Sequence, residues 1–307
     1  MKLPGKGSIW QDGELVPWER AQVHVATHAL HYGSSVFEGL RGYPAQGCVS
    51  AVMQLRAHMR RMVQSCRIVN IPLRWSEDEL CEAVLATVRA NGHASCYIRP
   101  LAFRAYGQLG VDPTHCPVSL AVIVIEHGAH FGAEAAEKGI DMGTSSWRRM
   151  APDTLPAMAK SAANYLNSQL VILEAKANGF TDGIALDAQG HVSEGSGANV
   201  FAVLDGVLHT PSIGSSILQG ITRACVLQLA RDAGIEVREV TMPRELLYCA
   251  EELFICGTAA EITPVRSLDR QQVGHGARGP LTARLQAEFR ALVTGAKPDR
   301  HGWLTRA

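Results

Sequence analysis

The sequence predicts an α+β protein built as two domains. Three observations point there. Both halves of the chain mix strand-like apolar runs with helical periodicity, though their textures differ. Glycines bracket a short segment, Gly128-Ala129-His130-Phe131-Gly132, between a strand and a new helix. The chain's 307 residues suffice for two domains with a sizeable core. The expected division is a smaller N-terminal α/β domain over 1–127, a linker over 128–134 and a larger C-terminal domain over 135–307.

Ile9-Trp10-Gln11-Asp12-Gly13-Glu14-Leu15-Val16 reads as a hairpin on an Asp-Gly turn. A helix follows around Leu55 to Cys66, with Leu55, Met59, Met62 and Cys66 on one stripe. A second helix runs from Ser76 to Asn91, with Ser76 and Glu79 as a capping box and Gly92 at the stop. Strands near Cys96–Phe103 and Val118–Ile125 complete the first domain. In the second, the pattern predicts a helix from about Ser161 to Asn178, closed by Gly179. Hairpins on Ala188-Gln189-Gly190 and Asp205-Gly206 come next, then a helix from Thr222 to Ala233 stopped by Gly234.

Lysine plus arginine equals aspartate plus glutamate, 29 each, so no basic field favours nucleic acid or an anionic membrane. The longest apolar run, Leu120–Ile125, has strand length and is far short of a bilayer span. The N-terminus shows no signal-like apolar region, which fits a cytoplasmic protein. Cysteines stand at 48, 66, 81, 96, 116, 225, 249 and 256 without a C-x-x-C pair. They read as reduced core thiols, not as disulfides or metal ligands.

Lys160 carries the strongest chemical signal. It is the only charged residue between Thr154 and Leu173, and its neighbours are mostly small. Downstream come Ser193-Glu194-Gly195-Ser196-Gly197, then Gly220-Ile221-Thr222-Arg223, then Gly257-Thr258-Ala259-Ala260. Taken singly, a lysine at a helix start or a glutamate in a loop is most often an ordinary surface residue. In combination they supply an amine for an aldehyde, a carboxylate for a ring nitrogen and donors for a phosphate. That is the set pyridoxal phosphate requires. His24, His28, His31 and His58 lack metal-ligand spacing and read as core or surface residues.

With those residues in view, the chain resembles the branched-chain amino acid aminotransferases of the fold-type IV pyridoxal phosphate class, whose two-domain fold is the D-amino acid aminotransferase type. The resemblance runs through His28–Arg41, Tyr97-Ile98-Arg99-Pro100, Lys160–Tyr165, Ser193-Glu194-Gly195 and Gly257–Val265. It implies that Lys160 binds pyridoxal 5′-phosphate covalently and shuttles the substrate proton as a neutral amine. By the same resemblance Glu194 pairs with the ring nitrogen and Tyr165 with the ring's phenolic oxygen. Arg61, Ile221 through its backbone, Thr222 and Thr258 hold the phosphate. Tyr32, Phe37, Tyr97 and the Ala259-Ala260 backbone shape an apolar pocket, and Arg99 receives the side-chain carboxylate of glutamate.

The implied reaction moves an amino group between leucine, isoleucine or valine and 2-oxoglutarate, with amino acids and 2-oxo acids as the only ligands besides the cofactor and no metal. The implied assembly is at least a homodimer, in which Arg104–Val111 of one subunit helps close the other's pocket. A D-amino acid or (R)-amine transaminase, an aminodeoxychorismate-type lyase and a non-catalytic pyridoxal phosphate-binding protein are the alternatives. Tyr97-Ile98-Arg99 favours the first reading. The sequence departs from the family pattern at His127 and His130, where a tryptophan and a tyrosine are common, at Ala198 for an acidic residue and at Ala163 for glycine. Imidazoles in the linker are expected to move the substrate range away from a purely aliphatic profile, unless both face solvent.

Overall fold

The computed structural model describes residues 3, 5–128, 131–132 and 134–307. The chain divides into two compact units. One consists of Met1–Gly128, Ala159–Ala163 and Leu292–Ala307, the other of Ala129–Met158 and Asn164–Ala291. The expected domains are continuous in sequence, and two segments depart from them for the same reason: each pairs with backbone far away along the chain. Leu304–Arg306 pairs antiparallel with Ala51–Met53. Ser161 bridges Val36, flanked by Phe37 N–H donating to Lys160 O at 3.1 Å and Ala162 N–H donating to Ser35 O at 2.9 Å. Those pairings hold Lys160 in extended chain, so the helix expected from Ser161 begins only at Asn164. Two placements of the linker, His130 and part of 128–134, lie outside the described residues.

The first unit is an antiparallel sheet with two helices packed against it. The strands run in the order Leu304–Arg306, Ala51–Met53, Leu40–Tyr43, Cys96–Arg104, Val118–Glu126, Ser8–Gln11, Glu14–Pro17. Ser35–Phe37 pairs with the far half of Cys96–Arg104, so that strand receives two short partners along one edge. They part at Glu38-Gly39. A Cβ at Gly39 would overlap the Tyr97 hydroxyl, which explains the glycine. The helix Leu55–Ile68 buries the predicted stripe Leu55, Met59, Met62 and Cys66 against Leu40, Ile98 and Val122. The helix Glu77–Asn91 has the expected reciprocal Ser76–Glu79 box, and Gly92 ends it with a left-handed φ of 69°. Burying this apolar face against the sheet is what stabilises both helices.

In the second unit the strands Ile140–Arg148, Asp182–Leu186, Val192–Gly195, Asn199–Leu204, Glu252–Gly257 and Glu261–Leu268 form a closed ring, the Glu194–Asn199 bridge completing it. Its core includes Met142, Ile184, Val200, Leu253, Ile255 and Val265. The helix Asn164–Ala177 packs on Ile140–Arg148 and Asp182–Leu186, and the helix Ile221–Asp232 starts at Gly220. All eight cysteines are free, six of them buried; Cys249 is exposed, against the expectation of a core position. No helix among the described residues is long and apolar enough to cross a membrane, and no described group of His, Cys, Asp or Glu side chains has the makings of a metal site.

Candidate active site

In the first unit, two of the expected residues, Lys160 and Arg99, converge on the ring of a third, Phe37. Phe37 is buried, and its ring lies 5.0 Å from Lys160 Nζ and 4.5 Å from the Arg99 guanidinium carbon. Arg99 also lies 5.4 Å from the Tyr97 ring and donates through Nη2 to the Tyr97 hydroxyl at 3.1 Å. Its Nε is buried and meets no acceptor among the described residues. An apolar wall thus carries a guanidinium that already has aromatic faces and a hydroxyl as partners. Tyr32 does not join this group. It is exposed, lies tilted against His28 with ring centroids 4.5 Å apart, and accepts from Gly110 N–H at 3.2 Å.

Lys160 is fixed through its backbone. Its N–H donates to the buried Ser65 hydroxyl at 3.0 Å, and its carbonyl pairs with Phe37. Arg61 lies one helical turn before Ser65. Its Nε and Nη2 donate to the two oxygens of Glu38 at 2.7 and 2.8 Å, and His58 Nδ1 meets Glu38 Oε2 at 2.7 Å. Burial pushes the Glu38 carboxyl up, but Arg61 and the His58 hydrogen bond outweigh it and hold it well below the usual carboxylate range. Burial pushes His58 below its ordinary value. Glu38 opposes that shift without overcoming it, while Arg61 and Lys160 reinforce it, so His58 is a neutral donor. His58, expected to be a plain core or surface residue, is therefore part of a buried polar cluster. His127 does not face solvent. It is buried with its ring edge-on to Tyr97, centroids 5.8 Å apart.

In the second unit, Glu194 is held from both oxygens. Arg149 Nη2 stands 2.8 Å from Oε1; Asn199 Nδ2 and Leu218 N–H donate to Oε2 at 3.1 and 2.9 Å. The Asn199 amide also donates to Leu218 O at 3.0 Å. A Cβ at Gly220 would overlap its oxygen, so the glycine brings the start of the helix Ile221–Asp232 against the Glu194 group. That helix has no side-chain cap bond at Gly220. Its first N–H groups, with the buried Thr222, lie at the positive end of the helix dipole. The turn bearing Thr258, Ala259 and Ala260 follows the neighbouring strand. A Cβ at Gly257 would stand 3.3 Å from Gly197 O, so this turn lies close to the Ser196-Gly197 turn. Tyr165 sits in the first turn of Asn164–Ala177.

The donor set suits pyridoxal 5′-phosphate: an amine mounted in extended chain, a carboxylate paired with a buried arginine, and a helix start with backbone donors. Glu38, Ser65, Arg149 and Asn199 carry much of this arrangement, and none stood out in the sequence. Glu38 was visible only as a letter within the motif Val36-Phe37-Glu38-Gly39.

Residues 35–268 match the family described as amino-transferase class IV. The branched-chain-amino-acid aminotransferase of Escherichia coli strain K12 is 51% identical over 298 residues, covering 96% of each chain. A crystal structure of the Escherichia coli branched-chain amino acid aminotransferase superposes with a TM-score of 0.96 at 49% identity, covering 98% of this chain and 99% of that one. The branched-chain amino acid aminotransferase from Thermobaculum terrenum, in its PLP-bound holo form, gives a TM-score of 0.92 at 36% identity, covering 99% of both. The chain belongs to the class IV aminotransferases, in the fold-type IV architecture of the branched-chain enzymes.

Proposed function

We propose that this branched-chain aminotransferase moves the amino group between L-leucine, L-isoleucine or L-valine and 2-oxoglutarate. The observation that carries this reading is Arg99 laid across Phe37 and Tyr97, with the Lys160 amine on the same Phe37 ring. One pocket must accept an aliphatic side chain and then the carboxylate of glutamate. An arginine buried without a partner during the first half is costly. Here the aromatic faces and the Tyr97 hydroxyl offset that cost while leucine is bound. When glutamate binds, its side-chain carboxylate takes the guanidinium.

The cofactor is pyridoxal 5′-phosphate; it supplies the aldehyde that takes up the amino group and the ring that stores the electrons of the broken Cα–H bond. Lys160 Nζ would hold it and, as a free amine, would take the proton from the substrate Cα and deliver it to the C4′ carbon. Glu194 accepts the ring-nitrogen N–H, and its pairing with Arg149 keeps it an acceptor. Tyr165 donates to the phenolic oxygen. Arg61, Ile221 N–H, Thr222 and Thr258 hold the phosphate. Phe37, Tyr97, Ala259 and Ala260 exclude water around the aliphatic side chain.

We further propose a cytoplasmic homodimer. Tyr106, Leu109 and Val111 are exposed, as are Val25 and Leu30 on the segment bridged to them at Thr27–Tyr106. A second copy covering that apolar surface fits their exposure. A substrate panel tests the reading. L- and D-amino acids and (R)-1-phenylethylamine are each offered with several 2-oxo acids, beside Lys160→Ala. Turnover of L-leucine with 2-oxoglutarate, abolished in the variant, supports it. Preference for D-amino acids or the amine overturns it.

A further inference from the structure

Glu38 has no exposed surface, yet none of the steps above draws on it. It occupies the break between Ser35–Phe37 and Leu40–Tyr43, where its own N–H donates to Pro100 O at 2.9 Å. Both of its oxygens are taken by Arg61, and one also by His58. His58, Arg61 and Ser65 stand three and four residues apart along the helix Leu55–Ile68, so they share a face. Ser65 accepts the Lys160 N–H. One helix face therefore carries both the Arg61 fork and the backbone of the reactive lysine.

Stability alone does not account for this cluster. A buried ion pair is seldom better than apolar residues of the same volume, and the neighbouring Met59 and Met62 show that this helix packs apolar residues well. The fork does supply direction. A bidentate arginine–carboxylate pair is planar, so Glu38 fixes the guanidinium plane and commits its Nε–Nη2 edge. An anion approaching Arg61 must then meet the opposite edge. His58 fixes the Glu38 carboxylate in turn, as a neutral donor that adds no charge.

We propose that Glu38, locked by His58, is a positioning residue that aims Arg61 at the cofactor phosphate. The proposal rests on the assignment of Arg61 to that phosphate. Apoenzyme is titrated with pyridoxal 5′-phosphate and, separately, with pyridoxal, which lacks the phosphate, following absorbance. Glu38→Gln keeps the side-chain shape but loses the charge and one acceptor. The expected result is about tenfold weaker binding of pyridoxal 5′-phosphate, the loss of part of a charge-assisted hydrogen bond, with pyridoxal changed less than about twofold. His58→Leu should show a smaller loss of the same selectivity, and His58→Asn should recover part of it; these two variants also decide the matter if Glu38→Gln does not fold. Equal weakening toward both ligands means a structural role and overturns the proposal, as does no weakening toward either. Arg61→Met separates the two layers. If it leaves the preference for the phosphate intact, the Arg61 assignment itself falls; if it removes the preference while the Glu38 and His58 variants keep it, only the positioning role falls.

Discussion

Replacing Arg149 with methionine strands a charge. Arg149 Nη2 and Glu194 Oε1 are 2.8 Å apart, with side chains 5% and 9% exposed. At an effective dielectric near 20, two unit charges at that distance attract by about 6 kcal/mol. Part of this is offset, because the arginine no longer has to be desolvated. Glu194 also keeps its donors from Asn199 and Leu218. Breaking a buried pair from one side costs about 3–5 kcal/mol, and the surviving donors place this case near 3. The Asn167 side chain additionally loses the donor Arg149 Nη1, a minor term because that contact is only partly buried. Urea denaturation of the apoprotein for Arg149→Met, Glu194→Gln and the double variant measures the effect. The double variant should be more stable than Arg149→Met alone, since it no longer buries an unpaired carboxylate, and the coupling should exceed about 1.5 kcal/mol. A loss below about 1 kcal/mol in Arg149→Met, or coupling under about 0.5 kcal/mol, would refute the reasoning that Arg149 and Glu194 form a strongly coupled buried pair.

Glu194→Gln should lower turnover by on the order of 10²-fold or more, the scale of losing one charge-stabilising group, with leucine as donor; unchanged turnover removes its role at the ring nitrogen. His58 makes stability depend on pH. Its folded pKa lies below the ordinary 6.5, so on acidification the unfolded chain takes up the proton first. Stability should therefore fall by up to about 1.3 kcal/mol between pH 7 and 5.5, and His58→Gln should flatten that limb; Glu38 adds its own loss only further down, below ordinary carboxylate values. His127→Trp should shift the ratio of catalytic efficiencies, leucine over glutamate, upward by more than about twofold, because the buried ring abuts Tyr97, the hydrogen-bond partner of Arg99; a constant ratio would make His127 a passenger. Sedimentation at assay concentration should show no active monomer.

Local rules carried most of the elements. The Ser76–Glu79 box, the Asp12-Gly13 turn and the Leu55–Cys66 stripe are set by neighbours a few residues away, and each stands where its sequence pattern puts it. Lys160 was visible through its isolation, but not the extended backbone that holds it. That conformation comes from pairing with Val36, more than a hundred residues earlier. Long separation likewise hid Ser65, 95 residues from Lys160, and the edge strand Leu304–Arg306. Glu194 was legible from its glycines, whereas Arg149 carried no local signal of its own. Its role depends on the ring of strands that turns it inward, and no local period encodes that closure.

The return of Leu304–Arg306 to Ala51–Met53 has a consequence for synthesis. When a growing chain has reached residue 291, every strand of the second unit has been made, but the first unit's sheet still lacks its edge strand. Until then Ala51–Met53 presents an unpaired strand edge, a template for pairing with another chain. Translation thus finishes the later unit before the earlier one, reversing the usual N-terminal-first order. Ribosomes stalled late in the message should release a chain whose second unit resists protease while the region around Ala51–Met53 is cut.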